Sequence, residues 1–376
     1  MKYSKPVIKK VLPVYRLDEK TFRIGAQIGI TSEFTDPDHQ MWDLIQLMDG
    51  SEIGMILQRM RSLHPNLSNE DIKKGLELLD AQGFLDDASD LTIDEPRYNA
   101  NIAYFSAFPN TTSEAAFKMQ MQLRNSNVLL LGLGGGGSNI LALLSGLGFA
   151  RITVVDYDTV AEDNLGRQLL YKESDIGRLK TEAAAETFCK MNSTTRIVPI
   201  NMKVNSSEDV NGLIPRHDIV ICALDEPQFL AQRRVNKAVV KNNIPCVFGA
   251  SQVTHGRVFS IIPGKTGCFD CLHLYYTEKD PQFVKQFKGF HQAKFKPPTI
   301  AYAPAIWEVS AVMVDEVVRI LTNYENPRTA GTQFEIDYTK YSSFSQPRWP
   351  RYENCPTCGN GNYTDWEVFQ YYNDGV

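Results

Sequence analysis

Two short runs of consecutive apolar residues, 128–131 and 152–155, bracket a segment in which Ile140, Leu141, Leu143, Leu144 and Leu147 recur at helical spacing. Uninterrupted β-rich apolar runs suit strands buried on both faces, and the spacing between them predicts an amphipathic helix. The order is therefore strand, turn, helix, strand. Five glycines, Gly132, Gly134, Gly135, Gly136 and Gly137, fill the first turn, and Asp156 closes the second strand.

The first hundred residues follow another pattern. Residues 7–15 and 21–28 alternate apolar and polar positions around the turn 17–20, as in a hairpin. Asp36-Pro37 opens a helix with the stripe Trp42, Leu44, Ile45 and Met48, and Gly50 ends it. A second helix starts at Ser51 with Ile53, Ile56, Leu57 and Met60 inward. A third starts at Ser68, whose hydroxyl and Asp71 resemble a capping box, and continues through Ile72, Leu76 and Leu79 to Gly83. A hairpin with three short helices suggests a winged-helix α+β module over residues 1–90, with the acidic, proline-containing stretch 85–96 as its linker. Residues 91–376 then form a second, α/β domain.

Composition supports two folded units and narrows their partners. At 376 residues the chain exceeds what one core usually serves. Hydrophobic residues make up 43% and charged residues 22%, as in ordinary globular proteins, and no apolar run approaches the roughly 18 residues that span a bilayer. The N-terminus has no apolar stretch of signal-peptide length, so a cytoplasmic protein is expected. A net charge of −5 argues against general nucleic-acid or anionic-membrane binding. The third N-terminal helix carries Glu70, Asp71, Glu77 and Asp80 against Lys73 and Lys74, a sign that phosphates repel. An extended peptide adding as a strand to the hairpin edge suits this module better than DNA.

The glycine turn carries the chemistry. Glycines let a nucleotide approach the backbone, and the N–H groups and positive dipole end of the following helix favour its phosphates. Asp156, about twenty residues on, has the right place and type for a ribose hydroxyl. Gly132-x-Gly134-x-x-Gly137 alone also fits an NAD site or a close-packing turn. The continuation is more specific: Asp156-x-Asp158-x-Val160, Asn164-Leu165-x-Arg167-Gln168 and Asp175-x-Gly177-x-x-Lys180. A carboxylate attacking the α-phosphate of ATP needs an arginine and a lysine to neutralise the departing pyrophosphate, whereas hydride transfer needs neither. Taken singly, Arg167 and Lys180 also read as solvated charges, Asp158 as a turn cap and Asp225 as a loop-start acid.

Four cysteines form a second constellation. Cys268-Phe-Asp-Cys271 and Cys355-Pro-Thr-Cys358 each supply two corners of a tetrahedral Zn²⁺ site. Four thiolates leave no open position, so such a site clips the C-terminal tail to the segment after Gly267 and is structural. Disulfides or free thiols are the alternative. Cys189, Cys222 and Cys246 lie in apolar or helical contexts that suit small buried hydrophobes.

These motifs resemble the adenylating family of the ThiF and MoeB proteins and the activating enzymes of ubiquitin-like proteins, over roughly residues 97–360. The resemblance implies a Rossmann-like doubly wound sheet, with Gly132, Gly134, Gly135 and Gly137 as the ATP loop and Asp156 as the ribose ligand. Asn164, Arg167, Gln168 and Lys180 match the phosphate-contacting set, and Asp158 falls among the nucleotide-binding residues. Residues 218–225 resemble the family's next strand, making Asp225 the Mg²⁺-binding acid. The paired cysteine knuckles recur there, and a homodimer is implied. In one respect the chain departs from the pattern: where the family shows Arg-Tyr-x-Arg, with the second arginine reaching the partner's phosphates, this sequence reads Arg97-Tyr98-Asn99-Ala100. Arg97 or Arg124 could take over. Thioester-forming members carry a downstream cysteine in the loop corresponding to residues 279–298, which here has none. The chemistry is expected to stop at an acyl-adenylate.

The N-terminal module is similar in pattern and size to leader-peptide recognition domains of enzymes that modify ribosomally made peptides. Together the halves imply ATP-dependent adenylation of a precursor-peptide carboxyl, as in microcin C-type and pantocin-type enzymes. Adenylation of a ubiquitin-like sulfur carrier, a non-catalytic nucleotide-dependent peptide-binding protein, and an NAD oxidoreductase are the alternatives. The lysine-rich stretch 275–298, with Lys279, Lys285, Lys288, Lys294 and Lys296, reads either as a mobile segment closing over an acidic peptide or as a solvated loop.

Overall fold

The computed structural model describes residues 3–27, 31–88, 95–109, 111–293 and 300–371. They divide into two compact units, Met1–Gln122 and Leu123–Val376, whereas the sequence reading divides the chain after residue 90.

The smaller unit contains β1 (Pro6–Ile8), β2 (Val14–Arg16), β3 (Thr21–Ile24), β4 (Ser32–Thr35), α1 (Gln40–Leu47), α2 (Ile53–Leu63), α3 (Asn69–Ala81), β5 (Leu85–Asp87) and α4 (Asn99–Ser106). Then α5 (Ser113–Asn125) runs through the division. The expected hairpin is there in part. Val14 pairs with Ile24 and Arg16 with Phe22, but β4 adds a third strand, and residue 28 lies outside the described residues. Residues 7–15 do not form one strand: Val7 pairs instead with Asp86 of β5, far away in sequence. The supposed linker therefore begins as a strand with Leu85 buried, while residues 89–94 lie outside the described set.

Helix starts follow side-chain chemistry. Ser68 Oγ accepts from the Asp71 N–H at 3.2 Å while the Asp71 carboxylate accepts from the Ser68 N–H at 3.1 Å, the predicted capping box. At α1 the expectation that Pro37 occupies the first turn fails, because the helix begins at Gln40 after His39 in a left-handed conformation. Asp36 still satisfies the free donors, accepting from the Trp42 N–H at 2.8 Å and the Met41 N–H at 3.3 Å. Phe22, Ile24, Leu44, Ile56, Met60, Ile72 and Leu76 make one core.

The larger unit is an α/β sheet with helices, as expected. Its strands and helices in order are β6 (Asn127–Leu131), α6 (Gly135–Leu144), β7 (Arg151–Asp156), α7 (Lys180–Met191), β8 (Arg196–Asn201), α8 (Ser207–Leu213), β9 (Ile219–Cys222), α9 (Leu230–Lys241) and β10 (Cys246–Ser251). There follow β11 (His255–Ile261), α10 (Phe269–Lys279), α11 (Phe283–Ala293), α12 (Ala303–Thr322), β12 (Gln333–Asp337) and β13 (Ser342–Ser345). The eight strands stand in the order β13-β12-β11-β10-β9-β6-β7-β8. Strands β6 to β10 run parallel, and β11 to β13 extend the sheet antiparallel. Pro199 falls in β8, the edge strand, where a missing N–H costs no ladder bond.

Strand β6 leads to β7 on one side and lies beside β9 on the other, so the order reverses there. In open α/β sheets the crevice beyond the strand ends at such a reversal is where ligands bind. Register brings the ends level: Leu131 pairs with both Val155 and Cys222. Gly132, Asp156 and Ala223 therefore emerge together.

Two expectations about side chains and segments change. Cys222 and Cys246 are buried, but Cys189 is exposed on α7. The stretch 275–293 is not a loop: it completes α10 and forms α11, with Phe287 only 2% exposed and Lys279, Lys285 and Lys288 facing solvent. Phe283 and Phe287, one helical turn apart, bury the inner face of α11, which holds that helix against the core. Lys294, Lys296 and the rest of that stretch up to residue 298 lie outside the described residues.

Candidate functional site

The glycines divide by what surrounds them. Gly132 has φ +93°, and a Cβ there would come 2.8 Å from the Ala223 carbonyl oxygen. A Cβ on Gly137 would sit 1.9 Å from the Gly132 oxygen. Both are fixed by backbone packing. Around Gly134, in contrast, a Cβ would meet nothing within 4 Å, so the backbone at the start of α6 borders open space. Free N–H groups at a helix start facing an opening make a site for phosphate.

The basic residues come to the same place. A Cβ on Gly135 would lie 3.8 Å from Cδ of Arg167, which sets that side chain beside the first turn of α6. Arg167 Nη1 donates to the Asp163 carbonyl at 2.6 Å. Lys180, nearly buried at the start of α7, donates from Nζ to Asp158 Oδ2 at 2.9 Å. Backbone hydrogen bonds between Lys180 and Asp158 and between Val160 and Arg178 fold the intervening segment back on itself, returning Lys180 to the crevice.

Asp156 uses both carboxylate oxygens locally: Oδ2 accepts from the Leu133 N–H at 2.6 Å and Oδ1 from the Asp158 N–H at 2.8 Å. It thereby ties the glycine turn to the loop after β7 and keeps lone pairs to spare. Asn164 is largely structural, its Oδ1 accepting from the Ala161 N–H at 3.2 Å. Gln168 is buried, and its Oε1 has no hydrogen-bond partner among the described residues.

Asp225 follows β9 on the other side of the crevice. Its carboxyl is open to solvent, yet the protein around it raises its pKa above the ordinary carboxylate value, with Glu226 adding to the rise. A group standing in a cleft has both properties. Lys180 and Arg167 oppose the rise, so the acid lies within electrostatic reach of both cations. The structure thus brings together the glycine turn, Asp156, Asp158, Arg167, Lys180 and Asp225.

The sequence reading missed Asn139. It sits two residues past Gly137, is 1% exposed, and both its Oδ1 and its Nδ2 are buried without a hydrogen-bond partner among the described residues. A carboxamide among the apolar positions of α6 was the available signal. Unpaired buried polar atoms cost on the order of 1–3 kcal/mol each, so Asn139 and Gln168 mark places where a ligand can bond.

Apart from this crevice, the sulfurs of Cys268, Cys271, Cys355 and Cys358 lie within 4.8 Å of one another. Separations of 3.9, 3.6 and 3.3 Å for the 268–271, 268–355 and 271–358 pairs exceed a disulfide bond and match the roughly 3.8 Å edge of a tetrahedron with metal–sulfur bonds of about 2.3 Å. The group could hold a metal ion. Around it, the Tyr352 N–H points to Cys271 Sγ at 3.5 Å and Asn236 Nδ2 to Cys268 Sγ at 3.7 Å, the donors that thiolates attract. Asp270, between the first two cysteines, accepts from buried Arg233 at 2.9 Å and from Thr357 and Tyr363 of the tail.

Comparison with known proteins identifies the family. The ThiF family model matches residues 98–357. The molybdopterin-synthase adenylyltransferase of Escherichia coli (strain K12) is 26% identical over 245 residues, covering 65% of this chain and 91% of the relative. The sulfur carrier protein ThiS adenylyltransferase of the same organism is 24% identical over 251 residues, covering 66% of this chain and 92% of its own. Among solved structures, E. coli MccB with ATP superposes with a TM-score of 0.76 at 22% identity, covering 94% of this chain and 99% of that one. The microcin C7 biosynthetic enzyme MccB in complex with N-formylated MccA gives 0.75 with the same identity and coverage. That likeness is one of fold. Among the described residues no helix is long and apolar enough to cross a membrane.

Proposed function

This chain belongs to the ThiF family and is an ATP-dependent adenylyltransferase, and from that premise we propose that its substrate is a ribosomally made precursor peptide. One carboxylate of the peptide attacks the α-phosphate of ATP, pyrophosphate leaves, and an acyl-adenylate remains. The single observation that carries the choice of substrate is coverage. The molybdopterin-synthase and ThiS adenylyltransferases align with 65–66% of this chain while using over nine tenths of themselves, and the family model begins only at residue 98. The MccB fold covers 94% of the chain, and its structures include one in complex with N-formylated MccA. The N-terminal unit is thus unaccounted for by a carrier-protein enzyme. A strand-and-helix module with an acidic third helix suits peptide capture, and holding the peptide on the same chain raises its effective concentration at the adenylation site.

In this reading the N–H groups at the start of α6 and the side chains of Arg167 and Lys180 hold the triphosphate and neutralise charge as pyrophosphate departs. Asp158 holds Lys180 in position, Asp156 takes the ribose, and Asn139, Asn164 and Gln168 complete the nucleotide contacts. Asp225 would hold Mg²⁺, which would supply positive charge against the phosphates. The four cysteines would hold a structural Zn²⁺, and the active form is a cytoplasmic homodimer in which Arg97 or Arg124 replaces the arginine absent at Ala100. Among the described residues of the segment 279–298 there is no cysteine to form a thioester, and the sequence of the whole segment has none.

The second reading, adenylation of the C-terminus of a ubiquitin-like sulfur carrier, is favoured by the names of the curated relatives. ATP–pyrophosphate exchange separates the two: stimulation by short acidic or asparagine-ended peptides encoded near this chain's gene supports peptide adenylation, and stimulation by a sulfur carrier alone overturns it.

A further inference from the structure

Among the described residues of the larger unit, the part-buried Arg257 has no counter-charge bonded to it. Arg257 lies on β11, its Nε is shut off from solvent without a hydrogen-bond partner, and burial lowers its pKa from the ordinary guanidinium value. Among the described residues no hydrogen bond or ion pair reaches its side chain. Glu335, directly across on β12, influences it electrostatically but does not bond to it. Arg257 is part-buried, with Nε enclosed, and a guanidinium that has lost hydration on one side gains from pairing with an anion.

Arg257 walls a cavity together with Phe229, Phe269, His273, Tyr276, Phe283 and Gln333, with about 40 Å³ of space for solvent. A water molecule needs roughly 10–15 Å³ on that measure, so the space admits a carboxylate. Aromatic rings supply most of the wall, and among the described residues no aspartate or glutamate lines it. Arg233 donates to His273 Nδ1 at 3.0 Å. Tyr276 donates to Gln333 Oε1 at 2.5 Å.

Strand register relates the cavity wall to the adenylation crevice. Cys222, at the end of β9, pairs with Phe248 of β10; two residues further along β10, Ala250 pairs with Arg257. Adjacent strands lie about 4.8 Å apart, so Arg257 stands two strand spacings from β9, toward the same end of the strands as Asp225. Phe229, another wall residue, follows Asp225 in the same loop.

We propose that Arg257 and this aromatic cavity form a carboxylate-binding subsite for the peptide substrate, so that the enzyme selects peptides carrying an acidic side chain or a free C-terminus at that position. The inference rests on the peptide reading above. It adds a substrate class to it: a peptide with a carboxylate that docks against β11 while the reacting group lies at the nucleotide.

The test uses three probes with the full-length protein: acetyl-Gln-Glu-amide, acetyl-Gln-Gln with a free C-terminus, and acetyl-Gln-Gln-amide. Binding is measured calorimetrically at low salt in wild type, Arg257→Gln and Arg257→Lys. In wild type one carboxylate probe binds about tenfold or more tightly than the amide, the ratio a charge-assisted hydrogen bond supplies, and which one does so identifies side chain or terminus. Arg257→Gln levels the three probes while its ATP affinity stays unchanged, and Arg257→Lys retains part of the preference. Should Arg257→Gln fail to fold, phenylglyoxal labelling of Arg257 in wild type, followed by mass spectrometry, gives the same answer: the carboxylate probe protects and the amide does not. Equal binding of all three to wild type, or a preference that survives Arg257→Gln, overturns the proposal. Loss of the peptide reading shows separately, as ATP–pyrophosphate exchange that responds only to a sulfur carrier protein.

Discussion

Lys180 and Asp158 form a 2.9 Å ion pair whose ends differ in exposure: the lysine side chain is 7% exposed and the aspartate 45%. The aspartate faces outward and fixes a nearly buried ammonium at the crevice, which sets the order of mutational effects. Lys180→Ala removes charge that acts on the departing pyrophosphate and is expected to lower the exchange rate about 10²–10³-fold. Asp158→Asn leaves the lysine present but loosely held and costs on the order of tenfold. The double variant loses little more than Lys180→Ala alone, because the two act as one unit. Steady-state exchange on the three variants checks the ranking.

The glycine turn separates packing from binding. Gly137→Ala forces a Cβ to within 1.9 Å of the Gly132 carbonyl oxygen and is expected to destabilise the larger unit by at least about 1–3 kcal/mol. Gly134→Ala meets only open space and a negative φ, so thermal stability stays within about 0.5 kcal/mol while ATP affinity falls. Melting curves with and without ATP distinguish the two effects.

The four-sulfur cluster predicts one bound zinc per chain by elemental analysis. Cys355→Ser abolishes the metal and, as loss of a structural metal, costs about 4 kcal/mol or more, roughly 8 °C or more in melting temperature. Because the tail is tied down through Cys355 and Cys358, proteolysis should cut C-terminal residues first in that variant. Retention of the tail and of stability without metal would contradict the assignment.

His217 supplies a pH signature. Its Nδ1 hydrogen-bonds the Leu213 carbonyl, its Nε2 meets Thr153 Oγ1 at 2.8 Å, and burial lowers its pKa from 6.5. The unfolded chain therefore binds a proton more readily than the folded one. Stability from this group is complete above pH 6.5 and is lost as pH falls through the lowered folded value. His217→Gln should flatten the fall of melting temperature below pH 6.5 relative to wild type.

Much of the adenylation unit was legible because its signals are local. The apolar run 128–131, the glycines after it and Asp156 lie within one strand-helix-strand repeat, and the cysteine knuckles have fixed spacing. What the sequence hid depends on distant partners or on which face a side chain takes. Pairing of Val7 with Asp86 cannot be seen in the alternation of residues 7–15, so two strands merged into one expectation. The lysines of 275–298 drew attention from Phe283 and Phe287, whose one-turn spacing was the sign of helix. Cys189 lies in a helical context next to Phe188 that suits a buried residue, yet it faces solvent. Arg257 and Asn139 look unremarkable in sequence, since only folding deprives them of bonding partners.

The account stands most directly on ATP–pyrophosphate exchange driven by a peptide encoded near this chain's gene, in wild type, Arg167→Ala and Asp225→Ala. It predicts peptide-dependent exchange in wild type and a loss of about 10²-fold or more in each variant, with both still folded. Exchange that survives both substitutions undiminished would contradict it.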